Sequence, residues 1–421
     1  MSEAHAHSPT CCDDVPKGTL TVDEARERIQ KALEPVSGIE RVAIRDALGR
    51  VLVEDVRSAV DVPSHTNSAM DGYAINSADL PSEGEAELKV IGTSWAGRPF
   101  DGTVGRGECA RIFTGAAMPK GTDTALMQEA VKRHEETIRI LARHKAGENV
   151  RYAGEDLKQG DVVLKPGQLI RPADIGVLAS VGVPEVNVRR RLRVAFFSTG
   201  DELRSIGESL GEGEIYDSNR YTIYGMLKRI GAEVIDMGVI RDTREATRQA
   251  FKDAAAIADV VMTSGGVSVG EADFVKEALD ELGKVDFWKI AMKPGKPLAF
   301  GFVDDAVFFG LPGNPVSVMV TFYQFALPAI RRLMGCRETY VPSFRLPLMD
   351  TLKKGKGRTE FQRGVLQRDE NGQPVVRTTG EQGSGILSSM SLANCFIILP
   401  RKSEGAQPGD IVEVQPFDGI V

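Results

Sequence analysis

Between Arg193 and Met334 the chain repeatedly sets glycine, lysine and carboxylate residues where an apolar run gives way to a helical one. The four loops are Gly200-Asp-Glu202, Thr263-Ser264-Gly265-Gly266-Val-Ser268-Val-Gly270, Lys293-Pro-Gly-Lys296-Pro and Leu311-Pro312-Gly-Asn314-Pro315. In a doubly wound parallel sheet, ligands collect at this edge. Backbone amides at helix starts attract anions, and glycine lets a phosphate approach the backbone closely. Lys289, Lys293 and Lys296 fall on or just after one strand, and two of them bracket Pro294-Gly295. Lysine serves as a point charge for phosphate, and the prolines stiffen the loop. Glu202, Asp242 and Asp273 each follow a successive strand. Such acids either start helices or supply oxygen ligands to Mg²⁺, which accepts carboxylates together with phosphate oxygens. The combination predicts a site for a phosphorylated ligand.

Gly266-Val-Ser268-Val-Gly270 also matches the nucleophile elbow of serine hydrolases. That fold places its histidine after the serine, whereas His5, His7, His65, His134 and His144 all precede Ser268. The glycines are therefore read as an anion-binding turn. The chain contains neither a P-loop signature nor a Gly-x-Gly-x-x-Gly after the first central strand, which argues against common nucleotide-binding classes.

The elements that must position these loops follow from periodicity. A strand at Arg193–Thr199 opens the central domain. Asn219 is read as the cap of a helix to Ile230, and Asp217 as part of an Asx or capping turn. Strands near 234–237, 260–263, 285–290, 298–302 and 307–309 alternate with helices at 244–258 and 273–282, and Asn314-Pro315 starts a helix to about Met334. The expected fold is multidomain α/β: a central doubly wound α/β sandwich, a small mostly β domain, a connecting domain and a C-terminal β-barrel. The expected partition is a disordered tail at 1–18, an N-terminal helix at 19–37, a connecting domain at 38–57 and 153–190, and a small mostly β domain at 58–152. The central domain spans 191–337 and the barrel 338–421.

Composition sets outer limits. At 421 residues the chain exceeds one typical domain, and a net charge of −7 argues against a nucleic-acid partner. The best apolar run, Val316 to Leu327, is interrupted by Gln324 and is too short for a membrane span. The N-terminus lacks a secretory pattern, so the protein reads as cytoplasmic. The five cysteines form no Cys-x-x-Cys pair, and the tail carrying His5, His7, Cys11 and Cys12 reads as a disordered terminus.

Asn67-Ser-Ala-Met-Asp-Gly-Tyr73, Arg111-Ile-Phe-Thr-Gly-Ala116, Gly154-Glu-Asp156 and Ser198-Thr-Gly-Asp-Glu-Leu203, with the central loops above, resemble the MoeA family. These molybdopterin molybdenumtransferases are related to the E domain of gephyrin. The resemblance runs from about Thr21 to the C-terminus. It implies an elongated homodimer of four-domain subunits, with each site completed by the partner subunit. It implies insertion of molybdate into adenylylated molybdopterin with release of AMP, assisted by Mg²⁺. Transient contact with a molybdopterin adenylyltransferase and with apo-molybdoenzymes is also implied. By match to the family's motifs, Glu202, Asp242 and Asp273 are the metal-binding and catalytic acids, and Asp71, Thr114 and Asp156 belong to the catalytic set. Substrate contacts fall on Ser264, Gly265, Gly266, Ser268, Lys289, Lys293, Lys296, Pro312, Asn314 and Pro315. Arg363 and Ser384 match positions near molybdate. The family often has an aromatic and then an acidic residue before Asn67; here His65 and Thr66 stand instead. The rival functions are molybdopterin adenylylation, because the central domain resembles the stand-alone adenylyltransferases, and a gephyrin-like scaffold.

Overall fold

The computed structural model describes residues 18–266 and 274–417, so the His/Cys tail, Ser268 and Asp273 lie outside the described residues. The chain divides into two compact units, one of Met1–Glu40, Gly49–Val51 and Arg189–Val421, the other of Arg41–Leu48 and Leu52–Val188.

The larger unit is organised by a six-stranded sheet. Its spatial order is Glu233–Ile240, Arg193–Thr199, Val260–Ser264, Ala306–Leu311, Pro297–Val303 and Gly283–Lys289. The first four strands are parallel. The last two run antiparallel to their neighbours, so the sheet is mixed and departs from the doubly wound parallel sheet expected from the sequence. Only Asp304-Asp305 separates Pro297–Val303 from Ala306–Leu311, and so short a link joins antiparallel neighbours only. Asp304 takes φ 50 to make the turn.

Successive residues of a strand face opposite sides, so Phe196 and Phe197 enter different cores. Phe196 packs with Ile223 and Leu227 of the helix Ser218–Arg229 and with Val316 and Val320. Phe197 meets Phe251 of the helix Arg244–Ile257 edge-on at 5.2 Å, and Phe251 meets Phe308 likewise at 5.4 Å. Helices thus cover both faces, and the interior strands need no polar side. At the strand entrances Asp259 accepts a fork from Arg190 and the Arg193 N–H at 2.8 Å, pinning two adjacent parallel strands at their first residues.

The expected helix from Pro315 is not uniform: α-helix Pro315–Thr321 passes through a π segment, Phe322–Ala326, into α-helix Leu327–Leu333. Gln324, the polar break in the apolar run, is fully buried there. Its carbonyl accepts from Arg26 Nε at 3.2 Å, and its Nε2 donates to Gln415 Oε1 at 2.7 Å. A π turn aims this buried amide at partners on other elements. Arg26 lies on the helix Val22–Ala32, capped by Thr21 and Glu24 as the sequence predicts.

Beyond Leu333 the pattern turns to β. Thr359–Arg368 pairs on one side with Cys395–Leu399, followed by Ile411–Pro416 and Phe344–Pro347. Its other edge carries Pro374–Thr378 at one end and the two-residue strand Met292–Lys293 at the other. A parallel bridge links Leu348, just past Phe344–Pro347, to Val376.

In the smaller unit, a six-stranded mixed sheet runs in the order Thr124–Met127, Gly72–Ile75, Glu108–Ile112, Glu85–Ser94, Thr137–Leu141 and Lys132–His134. Tyr73, Leu88, Cys109, Leu126 and Ile138 form its core. Leu52, Leu164, Leu178 and Val188 form a separate cluster with the helix Pro172–Ser180. Among the described helices none is long and apolar enough to cross a membrane.

Phe251 is fully buried between the rings of Phe197 and Phe308. Phe251→Ala is expected to cost about 3–5 kcal/mol, read from the shift in denaturant midpoint at unchanged slope.

Candidate active site

A cleft of about 620 Å³ lies within the larger unit, where the central sheet meets the C-terminal strands. Gly265, Gly266, Lys293, Lys296, Pro312, Asn314 and Ser384, all singled out from the sequence, line it. Two of its glycines are sterically required. A Cβ on Gly266 would stand 2.4 Å from Val275, and one on Gly295 would stand 2.6 Å from Thr321 Oγ1, with both residues at positive φ.

The cleft's cations differ in how free they are. Lys293 Nζ is 3.3 Å from Glu360, a carboxylate that is almost entirely buried. Glu360 also accepts from Gln362 Nε2 at 3.0 Å. Lys293 is therefore partly committed to the fold. Lys296 is exposed, and although its carbonyl accepts from the Ile290 N–H at 2.8 Å, its ammonium group takes part in no ion pair or hydrogen bond among the described residues, so its charge remains available.

Sequence reasoning missed Arg358, Ser317 and Gln382, which also line the cleft. Arg358 ends the basic run Lys353-Lys-Gly-Lys-Gly-Arg358, a signal that the sequence did carry. Ser317 lies one turn into a helix whose start was predicted.

Other expected residues stand behind the surface. Ser264 is buried, and its Oγ accepts from Asn219 Nδ2 at 2.8 Å; the same amide donates to the Gly313 carbonyl at 2.7 Å. Asn219 therefore ties two cleft loops together and is not the helix cap. That position belongs to Asp217, which accepts from the Arg220 N–H at 3.1 Å. Asn314 occupies the predicted cap position at the cleft wall, yet its side chain makes no capping bond and no other hydrogen bond among the described residues. The Val316 N–H donates to the Ser384 carbonyl at 3.1 Å, so part of this helix start holds a loop. Pro315 and Lys289 are not among the lining residues; Lys289 closes its strand, and its carbonyl accepts from the Leu20 N–H at 2.9 Å.

Arg363 is fully buried. It donates to the Gly383 carbonyl at 2.9 Å, the Gln382 carbonyl at 3.2 Å, the Glu381 carbonyl at 3.3 Å and Ser389 Oγ at 2.9 Å. Burial lowers its pKa to about 10. The charge faces carbonyl dipoles, and it clamps the loop that presents Ser384.

Asp201, Glu202 and Asp242 gather beyond the strand ends. Burial first, then the charges of Asp201 and Glu202, raise the Asp242 pKa. Thr243 caps the following helix by accepting from Ala246 N, so Asp242 is free of that task. Among the described residues no three acidic, histidine or cysteine side chains stand at metal-ligand spacing. The donor set nevertheless fits Mg²⁺ chemically, being oxygen-only and mutually repelling until a cation intervenes. Buried acceptors without partners among the described residues lie on the adjoining segments: Ser198 Oγ, Asp217 Oδ2 and Asn219 Oδ1.

The remaining predicted residues belong to the smaller unit. Asp71 Oδ1 accepts from both the Thr114 N–H at 2.8 Å and the Thr114 hydroxyl at 2.7 Å, and these bonds hold its pKa below the usual value. Asp156 is not bonded to either; its N–H donates to the Val62 carbonyl at 3.0 Å.

The larger unit thus carries, on the loops of a mixed α/β sheet, a cleft lined by glycine, lysine, arginine and asparagine. Three family models match successive stretches. They are the MoeA N-terminal region (domain I and II) at residues 20–182, a probable molybdopterin binding domain at 195–332 and the MoeA C-terminal region (domain IV) at 345–417. The chain is 44% identical over 404 residues to the molybdopterin molybdenumtransferase of Haemophilus influenzae, covering 96% of this chain and 100% of that one. It is 37% identical over 376 residues to the enzyme of that name from Nostoc, covering 87% and 86%. The solved molybdopterin biosynthesis MoeA protein of Pyrococcus horikoshii superimposes with a TM-score of 0.81 at 30% identity, covering 95% of this chain and 100% of that one. The chain belongs to the MoeA family of molybdopterin molybdenumtransferases.

The raised pKa of Asp242 makes its ionisation costlier in the folded chain than in the unfolded one. Stability is therefore lost as pH climbs past the ordinary 3.8. Asp242→Asn is expected to raise the melting temperature in Mg²⁺-free buffer at neutral pH, with the gain shrinking as pH falls toward the carboxylate range. Melting curves of the two proteins, recorded in parallel across pH, check this.

Proposed function

We propose that this protein inserts molybdenum into adenylylated molybdopterin, releasing AMP as the cofactor forms. The single observation that carries the reading is the cleft in which Lys296, Arg358, Asn314, Ser317 and the Ser384 loop converge around otherwise unsatisfied space. Molybdate and a pyrophosphate are both anionic, and holding them together needs fixed positive charge and donors that are not already consumed. Lys296 and Arg358 supply the charge, Asn314 and Ser317 supply directional donors, and Arg363 keeps Ser384 in place from behind. Glu202, Asp242 and Asp273 would hold Mg²⁺, which when bound neutralises the phosphoanhydride and favours AMP as leaving group.

Asp71 and Thr114, already joined by two hydrogen bonds, form a rigid anionic group in the other unit. Their place outside the cleft-bearing unit supports a homodimer in which a partner subunit completes the site, and the four-domain partition expected from the sequence accompanies it. The Leu348–Val376 bridge supports closure of the C-terminal strands into a barrel. The reading also brings transient contact with a molybdopterin adenylyltransferase and with apo-molybdoenzymes, and places the protein in the cytoplasm.

Incubating the purified chain with adenylylated molybdopterin, Mg²⁺ and molybdate should yield AMP and active cofactor in equal amounts. ATP-dependent adenylylation of free molybdopterin would replace this reading with the adenylyltransferase, and absence of both activities would replace it with a scaffold. Lys296→Ala should weaken molybdate binding by about 1–3 kcal/mol at unchanged stability, with a smaller loss at high salt. Lys293→Ala should lower the melting temperature as well, because Glu360 is left buried without its cation. Calorimetric titration at two salt concentrations, with a thermal melt of each variant, separates the two lysines.

A further inference from the structure

A second cavity, of about 690 Å³, opens on the mixed sheet of the smaller unit, and the residues lining it have no part in the chemistry above. Trp95 stacks on Phe113 with ring centroids 4.2 Å apart and planes 11° from parallel, yet Trp95 remains 50% exposed. One face of the indole is covered and the other is open. The Arg111 guanidinium lies over Tyr73 at 4.9 Å and over Phe113 at 5.2 Å. Cross-strand register puts Tyr73, Arg111 and Thr93 side by side, so the platform is built on rigid strands.

Its polar rim is pre-ordered. Arg111 donates to Gln128 Oε1, and Gln128 Nε2 donates to Glu129 Oε1 at 3.0 Å, while Glu129 Oε2 makes no hydrogen bond among the described residues. The Gln128 N–H in turn donates to the Asp71 carbonyl at 3.0 Å, which joins this cavity to the Asp71–Thr114 pair.

An open aromatic face, an arginine lying on further rings and one ionised carboxylate at the rim match a flat bicyclic heterocycle. Rings stack on indole and guanidinium. A carboxylate pairs with an adjacent N–H and amino group, the edge that a 2-amino-4-oxo-pyrimidine ring presents and adenine does not.

We propose that the Trp95–Arg111–Glu129 cavity binds the pterin ring of the substrate, with Trp95 and Arg111 stacking on it and Glu129 reading its amino-pyrimidinone edge. This inference rests on the insertion reading only in taking the substrate to be a pterin.

The test is calorimetric titration of the full-length chain with 6-carboxypterin and, separately, with AMP. Saturable pterin binding is expected, weakened about ten-fold or more by Trp95→Ala and by Arg111→Ala. Trp95→Phe should largely restore it. Glu129→Gln should weaken pterin binding without creating or altering any response to AMP. Trp95 and Glu129 are exposed, so unchanged melting curves should accompany these losses. No pterin binding to the wild type, equal binding to Trp95→Ala, or AMP competing at this site would overturn the proposal. Cofactor formation measured in parallel keeps the two readings apart. Wild-type turnover with an unchanged KM in Trp95→Ala overturns the pterin site alone. Pterin binding by a chain that makes no cofactor overturns the insertion reading alone.

Discussion

Six residues, Met292 to Pro297, join two sheets and carry the cleft's chemistry. Met292–Lys293 adds to the C-terminal strand Thr359–Arg368, while Pro297 begins the next strand of the central sheet. The loop between them has little freedom. Gly295 sits at φ 94 against Thr321, where no other side chain fits. Lys293 is anchored by a buried carboxylate, Glu360, on the neighbouring strand of the C-terminal sheet. Lys296 is thereby held at the rim with its charge unspent. Pinning both ends of so short a segment orients an ammonium group without relying on its flexible stem.

The same division of labour recurs around the cleft. One polar residue is consumed in holding backbone, and its neighbour is left free to meet a ligand. Arg363 clamps the carbonyls of residues 381–383, and Ser384 follows on the surface. Asn219 bridges Ser264 and Gly313, while Asn314 keeps its amide unused. Thr243 caps its helix, and Asp242 beside it is held by burial, and then by the charges of Asp201 and Glu202, above the usual carboxylate pKa. Such positions are held in place at some expense to stability, as expected where preorganised charge serves chemistry.

Much of this was legible in the sequence because it is local. The Thr21–Glu24 capping box, the apolar strands at 193–199 and 260–264 and the proline at a helix start all appear where short-range rules put them. Most of the lining residues were legible too, since glycine, lysine and asparagine at strand ends have few other uses. The misreadings are tertiary. Asn219 looked like a cap until Asp217 took that position and freed the asparagine to bridge two distant loops. Arg363 was expected near molybdate from the family resemblance, and no local pattern says that it will be buried among carbonyls from a loop about twenty residues away. Arg358 enters the cleft only because a strand from the C-terminal sheet pairs with Met292–Lys293, a contact that sequence spacing does not encode.

The central claim is that this cleft holds the oxyanion that supplies molybdenum. The most direct measurement is anomalous diffraction at the molybdenum edge from crystals of the protein grown with molybdate. A single strong peak is expected within hydrogen-bonding reach of Lys296 and the Ser384 loop, and it should vanish in Lys296→Ala crystals prepared the same way. A peak confined to other parts of the chain, or a cleft that stays empty at saturating molybdate, would contradict the account.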